Sequence, residues 1–205
     1  MEVRPALLFG GYVKIVQRSL LAVVSLACAC GAASAATQVV NCGTASGPTE
    51  LNAAAVVCAQ FNVGGATLQS VQITLNGSIT GNLVLNNNTA APTTGSATTT
   101  SSASAGALAG FSFANPIFTP SYTTGTQPVA AGQTITFSGL SAIGTADLGT
   151  NSATLAPYTG AGNFTIPVST STSSSVQGGG GSFHGSGATN ASATAVVTYT
   201  YTGGG

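Results

Sequence analysis

The chain has 205 residues, of which three are Lys or Arg, three are Asp or Glu and one is His. Nucleic acids and anionic lipid surfaces are held by Lys and Arg that neutralise phosphates, so a chain this poor in cations excludes both as partners. Its length suffices for one sizeable core, and its solubility must come from Ser, Thr, Asn, Gln and bare backbone.

The N-terminus reads as an export leader. A short apolar run, "SLLAVVSLACAC" at 19–30, follows Arg4, Lys14 and Arg18 and precedes "GAASAA". Basic segment, brief hydrophobic stretch and small-x-small site make a secretory signal peptide, cut after Ala35 with Ala33-Ser34-Ala35 as the recognition triplet. The run is shorter than the about 20 apolar residues that span a bilayer. Glu2 and the long basic region point to a second start at Val13. Lipoprotein processing at Cys28 is the other alternative, against which Ser25 stands where a lipobox wants Leu. All three cations lie in this leader, so residues 36–205 keep only Glu50 and Asp147 and a formal charge of −2.

Residues 36–60 form an N-terminal segment holding Cys42 and Cys58, the only cysteines beyond the leader. An exported chain meets an oxidising compartment, which predicts one disulfide contributing ~3 kcal/mol. Two free thiols are the alternative reading. Without nearby His or acid clusters the pair makes no metal site. "PTELNAAAVVCAQF" at 48–61 carries the one helix signal, with Thr49 as N-cap and Glu50 in the first turn, although Val56 and Val57 suit a strand equally well.

Residues 61–202 are expected to form an all-β domain. From Leu68 period-two alternation dominates: Val71, Ile73 and Leu75 share one face, Gln72 and Thr74 the other. Asn76-Gly77 reads as a two-residue hairpin turn or as a bulge within one long bent strand. Further strands are expected at 96–104, 109–119, 132–138, 163–170, 172–177 and 193–202. Pro167 removes a backbone donor and argues for an edge or a bulge. Ala195, Val197, Tyr199 and Tyr201 fall on one face of the last strand. Connectors such as "NNNTAAPTTGS" and "QGGGGSFHGSG" separate these strands, and residues 203–205 are a glycine tail. About eight short strands with frequent turns imply an antiparallel β-sandwich. Flexible filler at 94–108 and 169–192 is the competing reading, against which the recurring apolar face argues.

"FNVGGATLQSVQITLNGSITGNLVLNN", "YTGAGNFTIPVSTSTSSSVQGGG" and "SATAVVTYTYT" together resemble the choice-of-anchor E family, bacterial exported proteins whose common domain is joined to different C-terminal sorting tails. The likeness covers roughly Phe61 to Thr202. It implies an extracellular or cell-surface β domain and supplies no catalytic residues. The sequence departs from that pattern after "TYTYT", where "GGG" stands without a PEP-type or LPXTG-like motif, which leaves open how or whether the domain is anchored.

Chemistry finds little to work with. A hydrolase needs a nucleophile, a base and an orienting acid, and the single His184 sits in a glycine-rich loop. Glu50 and Asp147 are the only acids for carboxylate-pair chemistry, and calcium typically wants several carboxylates. "GGGG" lacks the Lys of a phosphate loop. Neither enzymatic activity nor a cofactor is expected. The partner classes left open are self-association through edge strands, including 193–202, and a surface glycan met by Tyr199 and Tyr201. The expected function is a secreted or cell-surface, non-enzymatic structural or matrix-type β-sandwich, with an adhesin or carbohydrate-binding module as the alternative.

Overall fold

The computed structural model describes residues 34–48, 50–178 and 183–204. Residues 1–33 of the expected leader, with the start at Val13 and Cys28, and the Thr49 cap lie outside these residues, as do residues 179–182 of the glycine-rich connector.

Among the described residues nine strands build two antiparallel sheets: β1 (Ala36–Pro48), β2 (Ala54–Ala59), β3 (Ala66–Asn87), β4 (Thr93–Ala105), β5 (Ser121–Thr123), β6 (Gln127–Val129), β7 (Thr134–Asn151), β8 (Asn163–Gly178) and β9 (Phe183–Gly203). The first sheet runs β1-β9-β3-β7 and the second β2-β8-β4-β5, with β6 also paired to β4. The all-β sandwich expected from alternation is therefore the fold. The expected boundary at residue 61 has no counterpart, because β1 belongs to one sheet and β2 to the other.

Alternation sets the layers. Val71, Ile73, Leu75, Ile79, Leu83 and Leu85 of β3 point inward beside Ala191, Ala193, Ala195 and Val197 of β9. Facing them are Val56 and Cys58 of β2 and Ile166 and Val168 of β8. Each buried Val, Leu or Ile contributes about 1.5–3 kcal/mol by leaving water.

Several expectations are corrected. The 48–61 helix does not form; β2 occupies that stretch, because Val56 and Cys58 bury on the core face while Val57 stays outside. The Asn76-Gly77 hairpin is absent, since β3 continues through it for 22 residues. Gly77 is no bulge either: the irregularities against β7 fall at Gln72/Thr74 and Gly81/Leu83. Its role is space. A Cβ on Gly77 would run into the Phe118 ring, and one on Gly144, its partner across the β3–β7 ladder, would lie 2.5 Å from Phe118 Cδ2.

The strand expected at 109–119 is an irregular loop that only bridges Ala103 through Phe118. Asn115 holds it down, its side chain pairing with both the N–H and the carbonyl of Ala105 at 3.0 Å. The loop's apolar residues pack on the core without joining a ladder, which is why alternation there misleads. The strand expected at 132–138 continues instead to Asn151, passing Gly139 at φ +70°. The two at 163–170 and 172–177 are one, β8. Pro167 lies in the interior strand of its sheet, but just past the end of β4, where its carbonyl accepts from Gly106 N–H at 2.8 Å.

Two buried amides organise the turns. Asn87 Nδ2 reaches the carbonyls of Ala91, Val129 and Ala130 at 2.9–3.0 Å, and its Oδ1 accepts from Thr89. Asn151 ties the carbonyls of Ala109 and Thr154 to the amides of Ala153 and Thr154.

Candidate functional site

Cys42 on β1 and Cys58 on β2 form the disulfide, with Cα atoms 4.4 Å apart. It joins the edge of one sheet to the edge of the other. The pair predicted from composition is thus a clasp between layers.

Of the tyrosines expected at a ligand surface, Tyr199 is a core residue and Tyr201 packs against the core. Tyr199 is fully buried, its ring 5.7 Å from Phe61 and its hydroxyl donating to the Ala59 carbonyl at 2.7 Å. Burial, and after it the proximity of Tyr158, pushes the Tyr199 phenol up to about 12. Tyr201 is half-buried and also packs on Phe61, with centroids 5.1 Å apart. Strand 193–202 is no edge: β9 is hydrogen-bonded to β1 on one side and β3 on the other. The alternation that places both tyrosines on one face is correct; the face is the inner one.

Tyr158 is another buried phenol, donating to the Ala109 carbonyl at 2.7 Å between Phe111 and Phe164. Burial raises its pKa. Nothing in the alternation distinguishes it, since it sits in a 3-10 turn (Ala156–Tyr158) outside any strand.

Both acids have structural partners. Glu50 Oε1 accepts from the Thr172 N–H at 3.1 Å, continuing a seam in which the Leu51 and Ala53 amides donate to Thr170 and Ser169. Asp147 accepts from Gln72 Nε2 at 2.8 Å and from the Gly149 amide at 2.9 Å. Three or more metal-ligating side chains do not gather anywhere among the described residues. The backbone of His184 lies opposite Asn86 within β9 rather than in a loop.

Two concave features lie side by side on the outer face of the β1-β9-β3-β7 sheet. A shallow groove of about 330 Å³ is lined by Ser46, Ser78, Thr80, Asn190 and Ser192. Beside it, a second depression of about 210 Å³ runs over Asn76, Thr145, Thr194 and Ile143. Ser78 and Ser192, hydrogen-bonded at 2.8 Å, border both. The polar lining of the first groove is hydroxyl and amide, able to hydrogen-bond a neutral polyol, whereas the second also presents the apolar Ile143. Its signal in the sequence is the polar half of each alternation, "LNGSIT" and "TNASAT", easily passed over as a solvated face.

The opposite face of the molecule is still more uniform. On β4, Thr98, Thr100, Ser102 and Ser104 stand across from Ser175, Ser173, Ser171 and Ser169 of β8. The Thr98 and Thr100 hydroxyls also pair with Thr123 and Ser121 of β5 at 3.1 Å.

No family model matches the chain, and no curated protein matches it. Among solved structures, similarity is found to a chain of infectious bursal disease virus Gx strain, at 15% identity over 83% of this chain and 37% of that one, with a TM-score of 0.15. A T13 particle of the same virus gives 14% identity, 83% and 36% coverage and a TM-score of 0.16. The chain thus spans little more than a third of those proteins, and scores at this level do not amount to a shared fold.

Proposed function

We propose that the chain is a secreted or cell-surface, non-enzymatic structural protein, a β-sandwich that acts by contact with its surroundings or with copies of itself. The observation that carries this reading is the hydroxyl lattice over β4, β5 and β8, a broad neutral surface. The two acids are already engaged in holding strands together. The disulfide, and the start of β1 at Ala36, directly after the expected cleavage site, fit an exported chain. No helix among the described residues is long and apolar enough to cross a membrane.

The test is fractionation of the native cell with sequencing of the protein's N-terminus. The expected result is a protein outside the cytoplasm that begins at Ala36 and whose mobility changes on reduction. Recovery from the cytosol with residues 1–35 attached and both thiols free would overturn the reading.

A second reading, an adhesin module for a surface glycan, is favoured by the polar groove along Ser46, Thr80 and Asn190. It replaces the tyrosine platform, which the core has absorbed. Saturable glycan binding abolished by Asn190→Ala with unchanged Tm would move the function to this second class.

A further inference from the structure

We infer that β7 is an assembly edge and that its partner is the β7 strand of a second copy, joined antiparallel about a two-fold axis at Ile143. The inference rests on the structural reading above and supplies its partner.

The edges of the two sheets are unequal. β1 carries an irregularity at Asn41/Thr44, ends at Pro48 and is clasped to β2 by the disulfide. β2 spans six residues and β5 three. β7, with 18 residues, is the long edge, paired on one side only, to β3. Edge strands are ordinarily protected by Lys, Pro, inward charges or bulges. β7 has no Lys, Arg or Pro, and its one charge, Asp147, is occupied by Gln72 and Gly149.

Its irregularities fall toward the two ends, leaving Leu140–Asp147 in unbroken register with Gly81–Thr74 of β3. That regular stretch is the template a second strand can extend, since backbone groups on the open side point outward without a ladder partner.

Side-chain direction then fixes the pairing. Opposite residues in an antiparallel ladder share a face, and the core-facing side of the added strand must stay core-facing. A two-fold axis through Ile143 satisfies this. It sets Ile143 against Ile143 and Ser141 against Thr145 on the outer face, with Ala142 against Gly144 on the inner one. Ile143 is the most exposed of the large apolar residues among those described, at 80%, and this pairing covers it. The two Asp147 carboxylates fall on opposite sides of the axis, eight residues apart along the ladder and roughly 27 Å distant. The product is one continuous sheet of eight strands, four from each copy.

The test is sedimentation of the protein over a concentration series, beside Ile143→Lys, with hydrogen exchange measured at low and high concentration. The expected result is a monomer–dimer equilibrium and concentration-dependent protection confined to residues 134–151. In the variant, two ammonium groups meeting across the axis should raise the dissociation constant about ten-fold or more, with Tm and far-UV spectrum unchanged because Ile143 lies outside the core. A strict monomer at high concentration overturns the inference and leaves the export test, and the structural reading it decides, standing. A dimer indifferent to Ile143→Lys, or protection at residues 36–48 instead, overturns it as well.

Discussion

Tyr199 shows how one residue serves both the apolar and the polar side of this core. Its ring packs against Phe61 while its hydroxyl satisfies the Ala59 carbonyl across the sandwich. Tyr199→Phe keeps the ring and removes the donor, and should cost about 1–2 kcal/mol in urea unfolding. The same residue gives the fold an alkaline limit. The folded phenol is held at about 12 against an ordinary value of 10.0, so the folded state keeps a proton that the unfolded chain releases first. That contribution is intact below pH 10 and is lost as pH rises toward 12. Thermal unfolding across this window, followed alongside tyrosinate absorbance, should fall less steeply for Tyr199→Phe than for the wild type. The residual slope belongs to Tyr158, whose phenol burial also raises. The strand parity of Tyr199 and Tyr201 is legible in the sequence; which face is inner is not. Alternation fixes the grouping of side chains, and only the position of β9 between β1 and β3 decides that this face is covered.

At the scale of elements, the existence of a strand is more legible than its extent. Glycine is the reason. Gly77 and Gly139 both resemble stops, yet β3 and β7 run through them. Gly77 makes room for Phe118, and Gly139 adopts a positive φ next to an irregularity in the β3–β7 ladder. A local pattern cannot distinguish a glycine that ends a strand from one that clears space for a ring 41 residues later in the chain. The disulfide is legible by counting, whereas its role as a clasp between sheets requires the β1 and β2 placements. Reduction should remove about 3 kcal/mol, a fall in Tm of roughly 6 to 12 °C for a domain of this size. Calorimetry with and without reductant checks this. A smaller loss would mean that the core already holds the β1 and β2 edges together.

For the molecule as a whole, the decisive feature is the near absence of charge. Beyond residue 35 there is no Lys or Arg, so ion pairs between side chains of that part contribute nothing except through His184. Stability should therefore be indifferent to ionic strength. The Tm at pH 7 should stay constant as sodium chloride shrinks the Debye length from ~10 to ~3 Å, and a marked salt dependence would show that the two carboxylates matter more than their hydrogen bonds indicate. The sandwich class and its uncharged surface are both evident from composition and alternation. The hydroxyl lattice and the outer groove are not, because they depend on strand register, which places Thr98 beside Ser175 and Ser78 beside Ser192.

The pairing of β1 with β9 sets Ala36 beside Tyr201, so the first strand of the domain waits for the last. While a ribosome is still delivering the chain, β1 and β3 both lack their shared neighbour, and the four-stranded layer has no centre to form around. β3 can pair with β7 as soon as both are made, whereas β1 has no place in the sheet until β9 has emerged. Order of synthesis and order in the sheet thus run against each other, and the layer closes only when its last strand arrives.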